Sequence, residues 1–207
     1  MIKEIKERDR EDIMNLSISE MKEKLRGMLN EEKFSHSVSV MNVARELARI
    51  HAVDVRKAEV AGLLHDCMKG ASNEELLSAC VKHGITVSDI EQLHPKLLHS
   101  IVGAYEVEER FGVSDHEIKD AIRCHTTGAV GMSALSKIVY VADYIEPERD
   151  LHDIDYIRDE AKNDLDSAVL HVLDNVIIYV IKKKALIHPD TLYTRNEILN
   201  QLMMRRN

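Results

Sequence analysis

The chain is poor in the residues that interrupt or staple a fold. Eight glycines and three prolines are spread over 207 residues. Long uninterrupted elements are therefore expected, and no alternating run bounded by turns marks a strand. Cysteine is scarce as well, with only Cys67, Cys80 and Cys124. They form no C-x-x-C pair, and their odd count fits reduced thiols, which argues against a zinc knuckle or a disulfide scaffold and for a cytoplasmic setting. No stretch approaches the roughly 18 apolar residues of a membrane span. The opening MIKEIKERDREDIM is too charged for a secretory signal. Basic residues are also short: 28 Lys and Arg face 36 Asp and Glu, a formal net charge of −8. A dedicated nucleic-acid surface needs a basic patch, so none is expected. Any phosphorylated ligand would have to be held by local cations or a metal, against the field of the whole protein.

What is present has a helical period. Hydrophobic residues make up 44% and charged residues 31%, the composition of an ordinary soluble domain. Ser17-x-x-Glu20 predicts a helix ending near Leu29. Ser72-x-x-Glu75 predicts one reaching His83, with Gly84 after it, and Ser88-x-x-Glu91 and Ser114-x-x-Glu117 open two more. Amphipathic stretches lie at roughly 34–51, 55–68, 96–111, 133–146, 165–184 and 190–205. The expected fold is all-α: one helical bundle over residues 17–207, behind a charged arm or loosely attached helix over residues 1–16. An exposed apolar helix face could support a homodimer.

Eleven histidines are many for this length. His36, His65, His99 and His125 stand out by context, with Asp66 directly after His65. Asp143 sits inside the apolar run Ile138-Val139-Tyr140-Val141-Ala142. An ionised carboxylate there is costly unless paired or bound to metal. Imidazoles and carboxylates without thiolate suit a first-row divalent metal such as Fe, Mn, Co, Ni or Zn. His51, His83, His116, His152 and His171 read as surface or packing residues.

The ordered strings HDCMKG, LLHSIVGA, HTTG, YVADYIEPER and LIHPDT resemble the YqeK family of HD-domain hydrolases over about residues 20–205. That resemblance implies an HD-domain helical bundle. It implies a symmetrical bis(5'-nucleosyl)-tetraphosphatase that cleaves diadenosine tetraphosphate, a dinucleoside polyphosphate, to two ADP (or related substrates to products such as GDP), with bound iron. It places metal ligands at His36, His65, Asp66 and Asp143. His99 and His125 would face phosphate or hold a second metal. Nucleotide contacts would fall at the Lys69-Gly70-Ala71-Ser72 loop, at Arg149 and at His188-Pro189-Asp190-Thr191, where Asp190 could equally be an N-cap.

Both loops precede expected helix N-termini, which favour anions. Thr126 can donate a hydroxyl beside His125. Lys33 falls on the His36 face of the helix if that helix already includes it. Asp66 would both ligate metal and orient water, and Lys69 would steady phosphate charge. The rivals are another HD-domain nucleotide phosphohydrolase, or a catalytically silent nucleotide-binding module. A cyclic-dinucleotide phosphodiesterase is disfavoured because its GYP string is absent.

Overall fold

A computed structural model describes residues 16–150 and 152–205. Among these residues the structure is helical, with no strand. The arm expected over residues 1–16 lies, apart from Leu16, outside the described residues.

Polar caps start most of the helices. α1 (Ile18–Arg26) opens on the Ser17/Glu20 capping box, buries Met21 and Leu25, and stops at Gly27, before Leu29. α2 (Glu31–Ile50) begins at Asn30, whose side chain accepts from the Lys33 N–H. α3 (Val55–Leu64) is capped by Asp54 and buries every residue from Val60 to Leu64. It ends at His65, shorter than the stretch to 68. α4 (Asn73–His83) and α5 (Asp89–Leu93) open on the expected boxes at Ser72/Glu75 and Ser88/Glu91. A 3-10 turn (Pro95–Leu97) leads into α6 (Leu98–Phe111).

α7 (His116–Cys124) corrects an expectation. Its cap is Asp115, not Ser114; the Asp115 side chain accepts from the Glu117 and Ile118 N–H groups. Asp caps as well as Ser, and Lys57 also holds this carboxylate, at 2.8 Å. α8 (Ala134–Ile145) starts at Ser133 and is almost wholly buried. α9 (Ile154–Asn163) has no counterpart among the expected stretches. α10 (Leu165–Lys182) and α11 (Pro189–Arg205) complete the described chain. Asp190 is the second residue of α11, inside the helix and not its N-cap.

α3 packs on α2, α7 and α8, and α2 also packs on α8. The α2–α3 crossing is tight. A Cβ on Gly62 would lie 3.0 Å from Met41 Cα and 3.1 Å from Ala44 Cβ, so any side chain there would require the two helices to part by a few tenths of an ångström. Leu63, Leu64, Ile118, Ile122 and Ile138 fill the core beneath the crossing. The four helix segments that carry His36, His65, His125 and Asp143 therefore meet at one end of the bundle. No helix among the described residues is long and apolar enough to cross a membrane.

Candidate metal centre

The site is assembled at helix ends. His65 and Asp66 follow α3, His99 is the second residue of α6, and His125 follows α7. His36 lies in the second turn of α2, and Asp143 in the last turn of α8. His65, Asp66, His99 and His125 are all buried.

Two carboxylates organise four imidazoles. Asp143 Oδ1 lies 2.9 Å from His36 Nε2 and 3.8 Å from His65 Nε2. Asp66 Oδ2 lies 3.5 Å from His65 Nε2 and 4.0 Å from His36 Nε2. Asp66 Oδ1 faces His99 Nε2 at 2.9 Å, His125 Nε2 at 3.3 Å and Lys69 Nζ at 3.4 Å. The structure thus brings together all six residues singled out for metal or its surroundings.

The electrostatics fit a cation-binding centre. Burial opposes charge on Asp66, yet His65, His125 and His99 hold its carboxyl well below the usual range. Burial likewise opposes charge on Asp143, and the His36 hydrogen bond and the His65 charge hold that carboxyl far down too. Burial disfavours a charged His65, but Asp66 and Asp143 raise its pKa above the ordinary value. His125 goes the other way: burial pushes it to about 4, against the pull of Asp66. Its imidazole is therefore neutral at pH 7 and available as a ligand.

The donors also fit a metal one by one. His36, His65 and Asp143 offer ligand atoms within 4.8 Å of one another, and so do His65, Asp66 and His125. The buried Nε2 of His65 has no hydrogen-bond partner. A buried polar atom without a partner is costly, and a metal would satisfy it. His99 Nε2 and His125 Nε2 are 3.1 Å apart. Two such nitrogens that close need a proton or cation between them.

The residues expected around phosphate fall into distinct places. Lys69 Nζ points into the centre, 3.2 Å from His99 Nε2. Thr126 Oγ1 lies 3.1 Å from His125 Nε2. Arg149 reaches Asp143 Oδ1 at 3.6 Å. Lys33 Nζ donates to the Lys69 carbonyl at 3.4 Å, so it braces the Lys69 loop. Gly70 and Ala71 lie on the loop's other side, lining a cleft of 810 Å³ between α4 and α6. The Ser72 N–H is taken by Glu75, and the Glu75 N–H by Ser72, which leaves fewer donors for an anion at the start of α4.

His188 precedes α11, and Pro189, Asp190 and Thr191 form its first turn; α11 meets the HTTG turn at Gly128. There φ is +71°, and a Cβ would lie 2.9 Å from Thr194 Oγ1. His188 sits 3.8 Å from Glu91 and also accepts the Asp190 N–H, while Thr191 is buried.

Glu146 was missed from the sequence. It is buried, with Oε1 3.5 Å from His36 Nδ1 and 3.6 Å from Arg149 Nε. It is the first glutamate of the YVADYIEPER string, just past the end of α8, and nothing in that string ties it to His36. A second acidic group gathers around His83, Glu106 and Glu109. Lys82 Nζ contacts both of its carboxylates, so the cation position there is already filled by a side chain.

Comparison with known proteins shows the family. Residues 34–148 match the HD domain family. The chain is 39% identical over 171 residues to the symmetrical bis(5'-nucleosyl)-tetraphosphatase of Halalkalibacterium halodurans, covering 83% of this chain and 91% of that protein. It is 39% identical over 172 residues to the Bacillus subtilis protein of the same name, covering 83% and 92%. The crystal structure of a "predicted HD superfamily hydrolase involved in NAD metabolism" from Clostridium acetobutylicum superposes with a TM-score of 0.87 at 36% identity, covering 90% of this chain and 98% of that one.

Proposed function

The chain belongs to the HD-domain family and, within it, to the symmetrical bis(5'-nucleosyl)-tetraphosphatases, and we propose that the His36, His65, Asp66 and Asp143 cluster serves this reaction as a metal centre. The substrate is diadenosine tetraphosphate or a related dinucleoside polyphosphate. The observation that carries this reading is the buried, partnerless Nε2 of His65 between two carboxylates. The donor set of imidazole and carboxylate suits iron, with Mn, Co, Ni or Zn as alternatives. A second cation could sit at His99 and His125.

A bound divalent metal supplies Lewis acidity and lowers the pKa of water near neutrality. The chain's own residues do the rest. Water oxygen bonds to one of the two inner phosphorus atoms, and the central P–O–P bridge breaks. One ADP carries the new oxygen, and the other leaves with the bridging oxygen. Asp66, whose Oδ1 accepts no well-directed hydrogen bond, orients the attacking water. Lys69 and Arg149 balance charge on the phosphate oxygens, and the Thr126 hydroxyl donates to them. An ADP leaving group is stable enough that no strong general acid is needed.

The protein acts in the cytoplasm, in keeping with its reduced-thiol composition. The last turns of α10 carry Val176, Ile178, Tyr179, Val180 and Ile181, and none of these is buried. A helical stretch that is apolar on several sides calls for cover, and a second copy related by two-fold symmetry supplies a self-complementary one. Sedimentation as a 23.6 kDa monomer would remove the homodimer.

Reconstitution tests the metal reading. Protein stripped with a chelator should be inactive and should regain turnover with Fe(II), and to differing extents with Mn, Co, Ni or Zn. Full turnover by the stripped protein would overturn it.

A further inference from the structure

Three of the four site imidazoles are fixed in the same way. His65, His99 and His125 each donate from Nδ1 to the carbonyl three residues earlier: Gly62 at 2.7 Å, Lys96 at 2.6 Å and Ile122 at 2.7 Å. A carbonyl only accepts, so Nδ1 keeps its proton, and in the neutral imidazole, the form that binds a metal, the Nε2 lone pair faces the centre. Chain position makes this possible. His65 and His125 follow helix C-termini, where the last carbonyls lack intrahelical partners, and Lys96 lies in the 3-10 turn before α6.

His36 cannot use this device. It lies in the second turn of a 20-residue helix, where backbone carbonyls are engaged in the helix ladder. Its Nδ1 faces the buried Glu146 carboxylate instead, Oε1 at 3.5 Å. Glu146 is itself held in place. Its Oε2 accepts the Glu148 N–H at 2.9 Å, and its backbone carbonyl accepts from Arg158 at 3.0 Å. Ser35 Oγ donates to Glu148 Oε1 at 3.2 Å, a second tie between α2 and the same turn. The oxygen that faces His36 is shared with Arg149 Nε, at 3.6 Å.

We infer that Glu146 is a positioning residue for the metal centre: it accepts a hydrogen bond from the Nδ1–H of His36, so that the Nε2 lone pair is directed at the metal position that His36 would share with Asp143, and it sets Arg149 with the same oxygen. This rests on the metal reading above. One carboxylate then aligns both a ligand and the arginine meant for phosphate. Outer partners of ligating histidines are worth 10- to 100-fold in metal affinity. Glu146→Gln keeps an acceptor but loses the charge, and Glu146→Leu loses both.

The test is titration of metal-free protein with Co(II), followed by its visible absorption, for wild type and both variants. Glu146→Gln should weaken binding about 10-fold and Glu146→Leu up to about 100-fold. Both should shift the Co(II) band, while thermal unfolding of metal-free Glu146→Gln stays at the wild-type midpoint. Wild-type affinity and spectrum in both variants would overturn the inference. So would a loss of affinity in Glu146→Gln that follows a lowered midpoint of the metal-free protein, which would make the residue structural. Failure of wild type itself to take up Co(II) would instead overturn the metal reading, and this inference with it.

Discussion

His36 on α2 and Asp143 on α8 face each other at 2.9 Å, Nε2 to Oδ1. That contact closes one side of the centre, and Asp66 closes the other by reaching His65, His99 and His125 together. Asp66→Ala should therefore remove bound metal and turnover, with the helical content kept. Metal analysis and circular dichroism check this. A variant that keeps full metal and turnover would show that Asp66 is no ligand.

Lys69 stands beside the cluster, half-exposed, with its carbonyl braced by Lys33. Lys69→Ala should spare metal content and lower the rate by on the order of 10²- to 10³-fold, the cost of losing one charge-stabilising donor. Metal content and steady-state kinetics measured on one preparation decide it. Loss of metal along with rate would make the lysine part of the scaffold.

Gly62 sets the distance between α2 and α3. Gly62→Ala puts a methyl group against Met41 and Ala44 in a packed crossing, so overpacking should cost about 1–3 kcal/mol. It should also weaken metal uptake by parting His36 from His65. Denaturant unfolding of the metal-free protein gives the first quantity. An unchanged midpoint would mean that the crossing can relax.

Glu106 makes the fold sensitive to acid away from the metal centre. Burial opposes its charge, but hydrogen bonds from His83 and Arg110, with Lys82, hold its pKa at about 2, against 4.5 ordinarily. The unfolded chain therefore takes up this proton first as pH falls. The stabilisation is complete above about pH 4.5 and is lost progressively toward pH 2. Lys82 and Arg110 are about half-exposed, and screening leaves it at about 1–2 kcal/mol. Urea midpoints between pH 6 and 3 should fall more steeply for wild type than for Glu106→Gln. Parallel curves would remove Glu106 from the account.

Much of this was legible locally. The boxes at Ser72/Glu75 and Ser88/Glu91 are contained in four residues each, so the sequence alone places those helix starts. The HD pair, HTTG and the Asp143 run pointed to the centre through the resemblance to the HD-domain hydrolases; taken singly, each has ordinary structural uses, and no local pattern shows that their segments converge. α9 was overlooked although its buried Ile154, Ile157 and Ala161 stand at i, i+3 and i+7, the helical spacing; three apolar positions among charged neighbours make a short and weak stripe. The Ser114 start failed because the neighbouring Asp115 caps equally well and has Lys57 as a partner. Glu146 was hidden for a deeper reason: its partner His36 lies on a distant segment, and only the packing of α2 against α8 brings them together.

Product analysis tests the central claim most directly. Metal-loaded protein is incubated with diadenosine tetraphosphate, and the nucleotides are separated by chromatography. The account predicts ADP alone, two per substrate consumed, and none after chelation. AMP with ATP would contradict attack on an inner phosphorus, and no product from protein with verified bound metal would contradict the assigned substrate.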